Sequence, residues 1–300
     1  MKGGTKMFLC CTRTVALLAI PLVTTACIGA EIDEQPDELI EEAEGAVVVG
    51  NSLIANRLAL NALTQTALTP LTLSQGALTP GSLSWSSRAA IQNPGTDGAL
   101  SRELLRYVVS CALRPDQSFS FSWTDSGGVS HAETYAGNLG IADWWAYGPL
   151  SDPYFQRWIS ACLASRTNWY GVSVNISLRG TQTPLASPAA ERSAYTVREG
   201  AFWGNVFSST PYLRSCHAPE GIHRARSMMR DCAAGHLATD PATGGTVTQA
   251  CGPIALTGSC DTICNREPDA IGGYYSRCLD NPATSSTAYS EVVITSFLPP

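Results

Sequence analysis

The chain has 300 residues, a net charge of −6 and 11 cysteines. Charged residues make up only 15% of it, against about 25% in an ordinary soluble domain. From residue 46 onward 17 acids face 16 bases, so the body lacks the basic excess of a nucleic-acid surface and no nucleic-acid partner is expected.

The first segment carries Lys2, Lys6 and Arg13, then an apolar run from Val15 to Val23, then Thr24-Thr25-Ala26-Cys27. A charged start, a short apolar middle and small residues before a cut predict a secretory signal peptide over 1–26. The apolar run falls short of the roughly 18 residues of a membrane span. Leu22 to Cys27 is similar to a bacterial lipobox, in which the cysteine becomes the lipidated first residue, although Thr24 stands where Leu is usual. Lipidation at Cys27 would hold the exported protein to a membrane, at the outer membrane or cell surface. Plain cleavage after Ala26 or Ala30 is the other reading.

Residues 27–48 read as an acidic tether. Eight acids and no base fall between 31 and 44, and such a stretch buries too little apolar surface to fold alone. Residues 49–85 then repeat with a period of five, placing Leu at 53, 58, 63, 68, 73, 78 and 83. A period of five suits neither a helix nor a strand. The stretch resembles pentapeptide repeats, which wind into a square β-helix; an extended spacer lying on the body is the alternative.

The body, 86–300, is long enough for one sizeable core. Ser101 reads as the cap of a helix running to Cys111. Ser118 to Trp123 alternates as a strand, Asp125-Ser126-Gly127-Gly128 supplies a turn, and Val129 to Tyr135 returns. A helix is predicted over Asp152–Trp169 and a strand over Val172–Leu178. Tyr195–Phe207 reads as extended, Arg224–Cys232 as helical, and Ser290–Leu298 as a closing strand. Helices and mostly antiparallel strands without βαβ regularity make the fold class α+β.

Eight cysteines remain after Cys10, Cys11 and Cys27: Cys111, Cys162, Cys216, Cys232, Cys251, Cys260, Cys264 and Cys278. An even set in an exported protein predicts disulfides. Connectivity does not follow from sequence, but two helices carrying one cysteine each point to a Cys111–Cys162 bridge. The other six staple a loop-rich region over 216–278.

The segments LLRYVVSCAL (104–113), WISACLASRTNWYGVSVNISLRG (158–180) and EGAFWGN (199–205) resemble a family of secreted lipoproteins from myxobacteria. The resemblance covers most of residues 50–300. It implies export and an envelope role, and carries no activity.

Candidate chemistry is sparse. Asp125-Ser126-Gly127-Gly128 imitates a serine-protease segment, but the first His, His131, follows the serine, so the order is wrong and the turn reading stands. His131 and Glu133 lack the paired thiolates that zinc deaminases need. Cys216, His217, His223, Cys232 and His236 have some metal-ligand character, yet the even cysteine count favours bridges, so neither a metal nor a cofactor is expected. Two readings remain in front. One is a non-enzymatic envelope protein that binds a polysaccharide or another envelope protein through an aromatic patch of Trp144, Trp145, Trp169, Tyr170 and Trp203. The alternative is an extracellular polysaccharide hydrolase using Glu199 and Asp143, which needs both carboxyls in one cleft, about 5–9.5 Å apart. A third class, an inhibitor-like factor, would need an exposed loop held rigid by bridges within 216–278.

Overall fold

The computed structural model describes residues 63–64, 85–148, 150–267, 273–284 and 287–300. The signal, the tether and most of the five-residue repeat lie outside the described residues. Of the repeat, Leu63–Thr64 runs parallel to Thr167–Asn168.

The body is α+β. Helix α1 (Trp85–Gln92) and helix α2 (Thr96–Ala112) meet at Pro94-Gly95. Helix α2 starts a turn and more before the predicted cap. The Ser101 hydroxyl instead donates to the Asp97 carbonyl (2.8 Å) inside the helix. Strands β1 (Ser118–Thr124) and β2 (Ser130–Ala136) form the predicted hairpin, in register from Ser118↔Ala136 to Thr124↔Ser130. Its turn is held by the Asp125 carboxylate, which accepts the Gly127 and Val129 N–H groups, both at 2.9 Å.

Helix α3 (Pro153–Arg166) has an Asp152 cap accepting from the Tyr154 N–H (2.8 Å) and proline at its first position. Every residue from Trp158 to Arg166 is buried, so beyond its first turns α3 is enclosed on all sides and is the central element of the fold. It ends at Arg166, before the predicted Trp169, and Thr167–Asn168 leaves as extended chain.

A five-stranded sheet lies against α3. Its order is β8 (Ile254–Ser259), β5 (Tyr212–His217), β4 (Val197–Asn205), β12 (Ile294–Leu298), β3 (Ser177–Arg179). All pairs are antiparallel except β5 with β8. Only the end of the predicted 172–178 strand pairs, because β12 reaches it from Phe297↔Ser177 to Thr295↔Arg179. Alternation on β4 sends Phe202 into the core shared with the helices, and Ala201 and Trp203 into a second core with Cys216, Cys260, Tyr275 and Cys278.

The second core lies under a cysteine-rich cap. The cap holds a hairpin of β6 (His236–Thr239) and β7 (Thr246–Gln249), and a sheet of β9 (Cys264–Arg266), β10 (Tyr275–Leu279) and β11 (Tyr289–Ser290). The predicted closing strand is thus two strands, β11 and β12, in different sheets. Helix α4 (Ala189–Ala194) packs Glu191 under β3, where its carboxylate accepts from the Ser177 hydroxyl. Helix α5 (Ile222–Ser227) stops short of the predicted Cys232, and Met229 takes a positive φ of 56°.

The disulfides are Cys111–Cys162, Cys216–Cys260, Cys232–Cys251 and Cys264–Cys278. The first joins α2 to α3, as the two helical cysteines predict. The six late cysteines pair among themselves, and Cys216–Cys260 ties β5 of the five-stranded sheet to the cap.

The Cys111–Cys162 bridge closes a separation of 51 residues. On the chain-entropy model such a closure contributes about 4 kcal/mol. Cys111→Ala/Cys162→Ala is therefore expected to lose about that much in chemical denaturation, and a loss under about 1 kcal/mol would refute the assignment. A second prediction concerns pH. Burial pushes the Glu191 carboxyl up, against the pull of Ser177, Arg179 and Arg192. The folded state then holds a proton that the unfolded chain has released, so stability falls as pH rises from the ordinary carboxylate range through the raised folded value. Glu191→Gln is expected to flatten that slope in denaturation curves measured across pH.

Candidate functional site

The five aromatics predicted to form one patch do not. Trp145 and Trp203 are both 0% exposed. Trp145 stacks parallel to Phe119 at 6.4 Å, and Trp203 lies in the second core with its indole N–H donated to the Asp280 carbonyl (3.2 Å). Both are core residues and offer no face to a ligand. Trp144 is half-buried, edge-on to Phe155 at 5.5 Å. Only Trp169 and Tyr170 meet at the surface.

The two predicted catalytic acids are also separated in role. Glu199 is buried on β4, bound in two-pronged fashion by Arg230: Nε to Oε1 at 2.9 Å and Nη2 to Oε2 at 2.9 Å. Neither side chain is exposed at all. A buried carboxylate neutralised by a fixed guanidinium neither meets a substrate nor exchanges a proton with one. Asp143 sits in a 3-10 turn (Asp143–Ala146), paired with Arg114 at the surface. The hydrolase built on Glu199 and Asp143 is overturned by this burial and pairing.

The other motifs resolve locally. The His131 ring stacks on Trp123 at 4.5 Å and its Nε2 meets the Asp125 carboxylate at 2.9 Å. Glu133 accepts from the Trp123 indole (2.5 Å) and from the Tyr135 hydroxyl. Cys216 and Cys232 are disulfide-bonded, and a disulfide sulfur is not a thiolate ligand.

Around Trp169 and Tyr170 the fold assembles something the sequence reading did not join. Asp231, only 2% exposed, accepts from or pairs with His236 Nδ1 at 2.8 Å. The Tyr170 hydroxyl lies 3.3 Å from both the Asp231 carboxylate and His236 Nδ1. The Trp169 ring stacks on the His236 ring at 4.2 Å and 10°. Burial, with the Asp231 charge beside it, pushes the Tyr170 phenol up. Tyr170 nevertheless shows 44% of its surface.

His236 also opens the β6–β7 hairpin, and the Cys232–Cys251 bridge closes the chain just outside that hairpin's stem. The tip is tied internally. Asp240 accepts from the Ala242 N–H and the Thr243 hydroxyl, both at 2.8 Å, and its own N–H donates to the Gly245 carbonyl (2.7 Å). Leu237 and Val247 are exposed along the stem. The result is a projecting, bridge-clamped hairpin with an aromatic–histidine cluster at its root.

No family model, curated protein or solved structure matches the chain.

Removing one partner of a buried pair strands the other charge, at a cost of about 3–5 kcal/mol. Glu199→Gln is expected to lose stability on that scale in urea denaturation, while Glu199→Leu/Arg230→Met together lose less than Glu199→Gln alone. A Glu199→Gln protein as stable as the parent would contradict a structural role for the pair.

Proposed function

We propose that the chain is an exported, lipid-anchored envelope protein that binds an envelope polysaccharide or protein, with the clamped β6–β7 hairpin and its Trp169–Tyr170–His236 root as the contact surface. The carrying observation is that root: an exposed tyrosine, a stacked tryptophan–histidine pair and a hairpin pinned by Cys232–Cys251. Rigid aromatic groups give contact area at little entropic cost, and a clamped loop has already lost the freedom that binding would otherwise remove. Four disulfides support export, because such bonds persist in oxidising compartments. The resemblance to secreted lipoproteins and the lipobox-like Leu22–Cys27 support the anchor. Among the described residues no helix is long and apolar enough to cross a membrane.

One observation favours a second reading. The buried Asp231 holds His236 by Nδ1, the orientation that presents Nε2 as a general base in hydrolytic triads. A hydrolase using His236 would cleave acyl esters and release acid from an acylated polysaccharide to which the protein binds.

Both readings meet in one experiment. The exported protein is co-sedimented with insoluble cell-wall polysaccharides. Binding is expected to be retained by the parent, to fall about tenfold in Tyr170→Ala, as loss of one aromatic anchor predicts, and to release no acid from the polysaccharide's acyl groups. Release that His236→Gln abolishes would install the hydrolase. Palmitate labelling of the parent is expected to be lost in Cys27→Ser; a parent that takes no label would remove the lipid anchor, and label that persists in Cys27→Ser would remove Cys27 as its site.

A further inference from the structure

Two of the four disulfides lie against each other where the five-stranded sheet meets the cap. Cys216–Cys260 ties β5 to the single helical turn Cys260–Ile263. Cys264–Cys278 crosses from β9 to β10 at directly opposed positions. The Cys216 and Cys264 sulfurs are 3.5 Å apart, and the Cys260 sulfur lies within 4.8 Å of both. Local geometry explains the meeting. The Cys264 N–H donates to the Cys260 carbonyl, so the two cysteines stand one helical turn apart and share one face. Cys216 therefore has two cysteines in reach and is bonded to one of them.

The bridges are not equally sheltered. Cys216, Cys260 and Cys278 are 0% exposed, as are Cys111, Cys162 and Cys251, and Cys232 is 1% exposed. Cys264 alone among the bridged cysteines is only half-buried. Access helps decide which sulfur an outside thiolate attacks, so an incoming thiol meets Cys264 first. The backbone ahead of Cys260 has room to follow a change. Gly258 takes a positive φ of 90° with open space where a side chain would stand, and the β5–β8 register shifts between Leu256 and Ser259.

We propose that Cys264 is a thiol–disulfide exchange site for an external dithiol, and that opening it moves the tie between sheet and cap from Cys216–Cys260 to Cys216–Cys264. The dithiol's first thiolate attacks the Cys264 sulfur. A mixed disulfide forms there, and Cys278 leaves as a thiolate and takes up a proton. The dithiol's second thiolate then attacks the dithiol sulfur of that mixed disulfide, which closes the oxidised dithiol and releases the Cys264 thiolate. That thiolate attacks the Cys216 sulfur, 3.5 Å away, forming Cys216–Cys264 and expelling Cys260, which is protonated. Two electrons pass from the dithiol to the protein over the first two steps, and none in the third. The product keeps β5 tied to the cap, one helical turn further along, and loses the cross-strand bridge of β9 and β10. Cys232–Cys251 takes no part, so the β6–β7 hairpin stays clamped and the exchange is independent of anything bound there.

The test treats the exported, oxidised protein, without denaturant, with one equivalent of dithiothreitol. Acid stops exchange by protonating the thiolates. Free thiols are then alkylated with N-ethylmaleimide and located by mass spectrometry, with cleavage at Asp261 separating Cys260 from Cys264. Label is expected at Cys278, and at Cys260 to at least about a tenth of the level at Cys264, since the third step consumes no reductant. Peptides joined through Cys216–Cys264 are expected beside it. Label at Cys264 and Cys278 with Cys260 below that level would overturn the transfer. No label at all, or label that comes first at Cys111 and Cys162, at Cys232 and Cys251, or at Cys216 and Cys260, would overturn Cys264 as the entry. Cys278→Ser gives a second measurement that needs no reductant, because it leaves Cys264 as a thiol. Its disulfide map is expected to hold both Cys216–Cys260 and Cys216–Cys264, and a map with Cys216–Cys260 alone would overturn the transfer.

Discussion

The rest of the structure is arranged around one buried ion pair. Arg230 and Glu199 are fully enclosed, and Arg230 also donates to the Ser165 carbonyl (2.7 Å) near the end of α3. Three units meet there: the central helix, the middle strand and the start of the cap. Burying two charges costs several kcal/mol for each ion, and only close two-pronged geometry offsets it. The chain accepts local irregularities to reach that geometry. The β4–β12 register shifts between Ser296 and Phe297, opposite Glu199, so the acid leaves strict alternation and faces α3. Next to it only glycine fits, because a side-chain carbon at Gly200 would stand 2.2 Å from the Cys216 carbonyl oxygen. Met229 adopts a left-handed conformation just before Arg230, which ends α5 and turns the arginine inward. The same register shift leaves Arg198 on the cap side, against Gly273 and Tyr275. The arrangement that buries Glu199 therefore also ties the sheet to the cap through Arg198.

All sixteen bases after residue 45 are arginine, and for five of them the fold gives a physical reason. Arg102, Arg166, Arg179, Arg198 and Arg230 are buried. Several of them donate to backbone carbonyls of other elements. Arg102, for example, donates to the carbonyls of Ile91 and Asn93, both at 2.8 Å, with its guanidinium 3.6 Å from the Trp123 ring centre. A lysine ammonium is a compact, strongly hydrated charge and is poorly suited to this. A guanidinium is planar, weakly hydrated, stacks on rings and presents five donors. In a body with few charges, these arginines act as internal fasteners, alongside the four disulfides.

What was legible in the sequence was local. The β1–β2 hairpin followed from strict alternation and an Asp-Ser-Gly-Gly turn, and no tertiary contact was needed to place it. The Cys111–Cys162 bridge followed from two helices with one cysteine each. Errors arose where tertiary pairing decides. Ser101 has a cap's chemistry but sits inside a helix that Gly95 had already released. Val172–Leu178 alternates, yet only its end finds a partner strand. The aromatic patch failed because residue type does not distinguish a core tryptophan from a surface one: Trp145 and Trp203 fill cores, while Trp169 and Tyr170 join Asp231 and His236 across more than sixty positions of chain. Glu199 looked available because its neighbours are glycine and aromatics. Its partner Arg230 lies 31 residues away, and nothing in the local pattern points to it.

The hairpin root bears on what a nearly neutral body can offer a partner. It is held by a disulfide, by ring stacking and by the buried Asp231 carboxylate on His236. A protein with a nearly neutral body has little long-range field to steer a ligand. Recognition of a partner there would come from short-range contacts fixed beforehand by the framework. A bridged stem and a stacked tryptophan–histidine pair supply such fixing, and they place it at the surface, where Tyr170 shows 44% of its area.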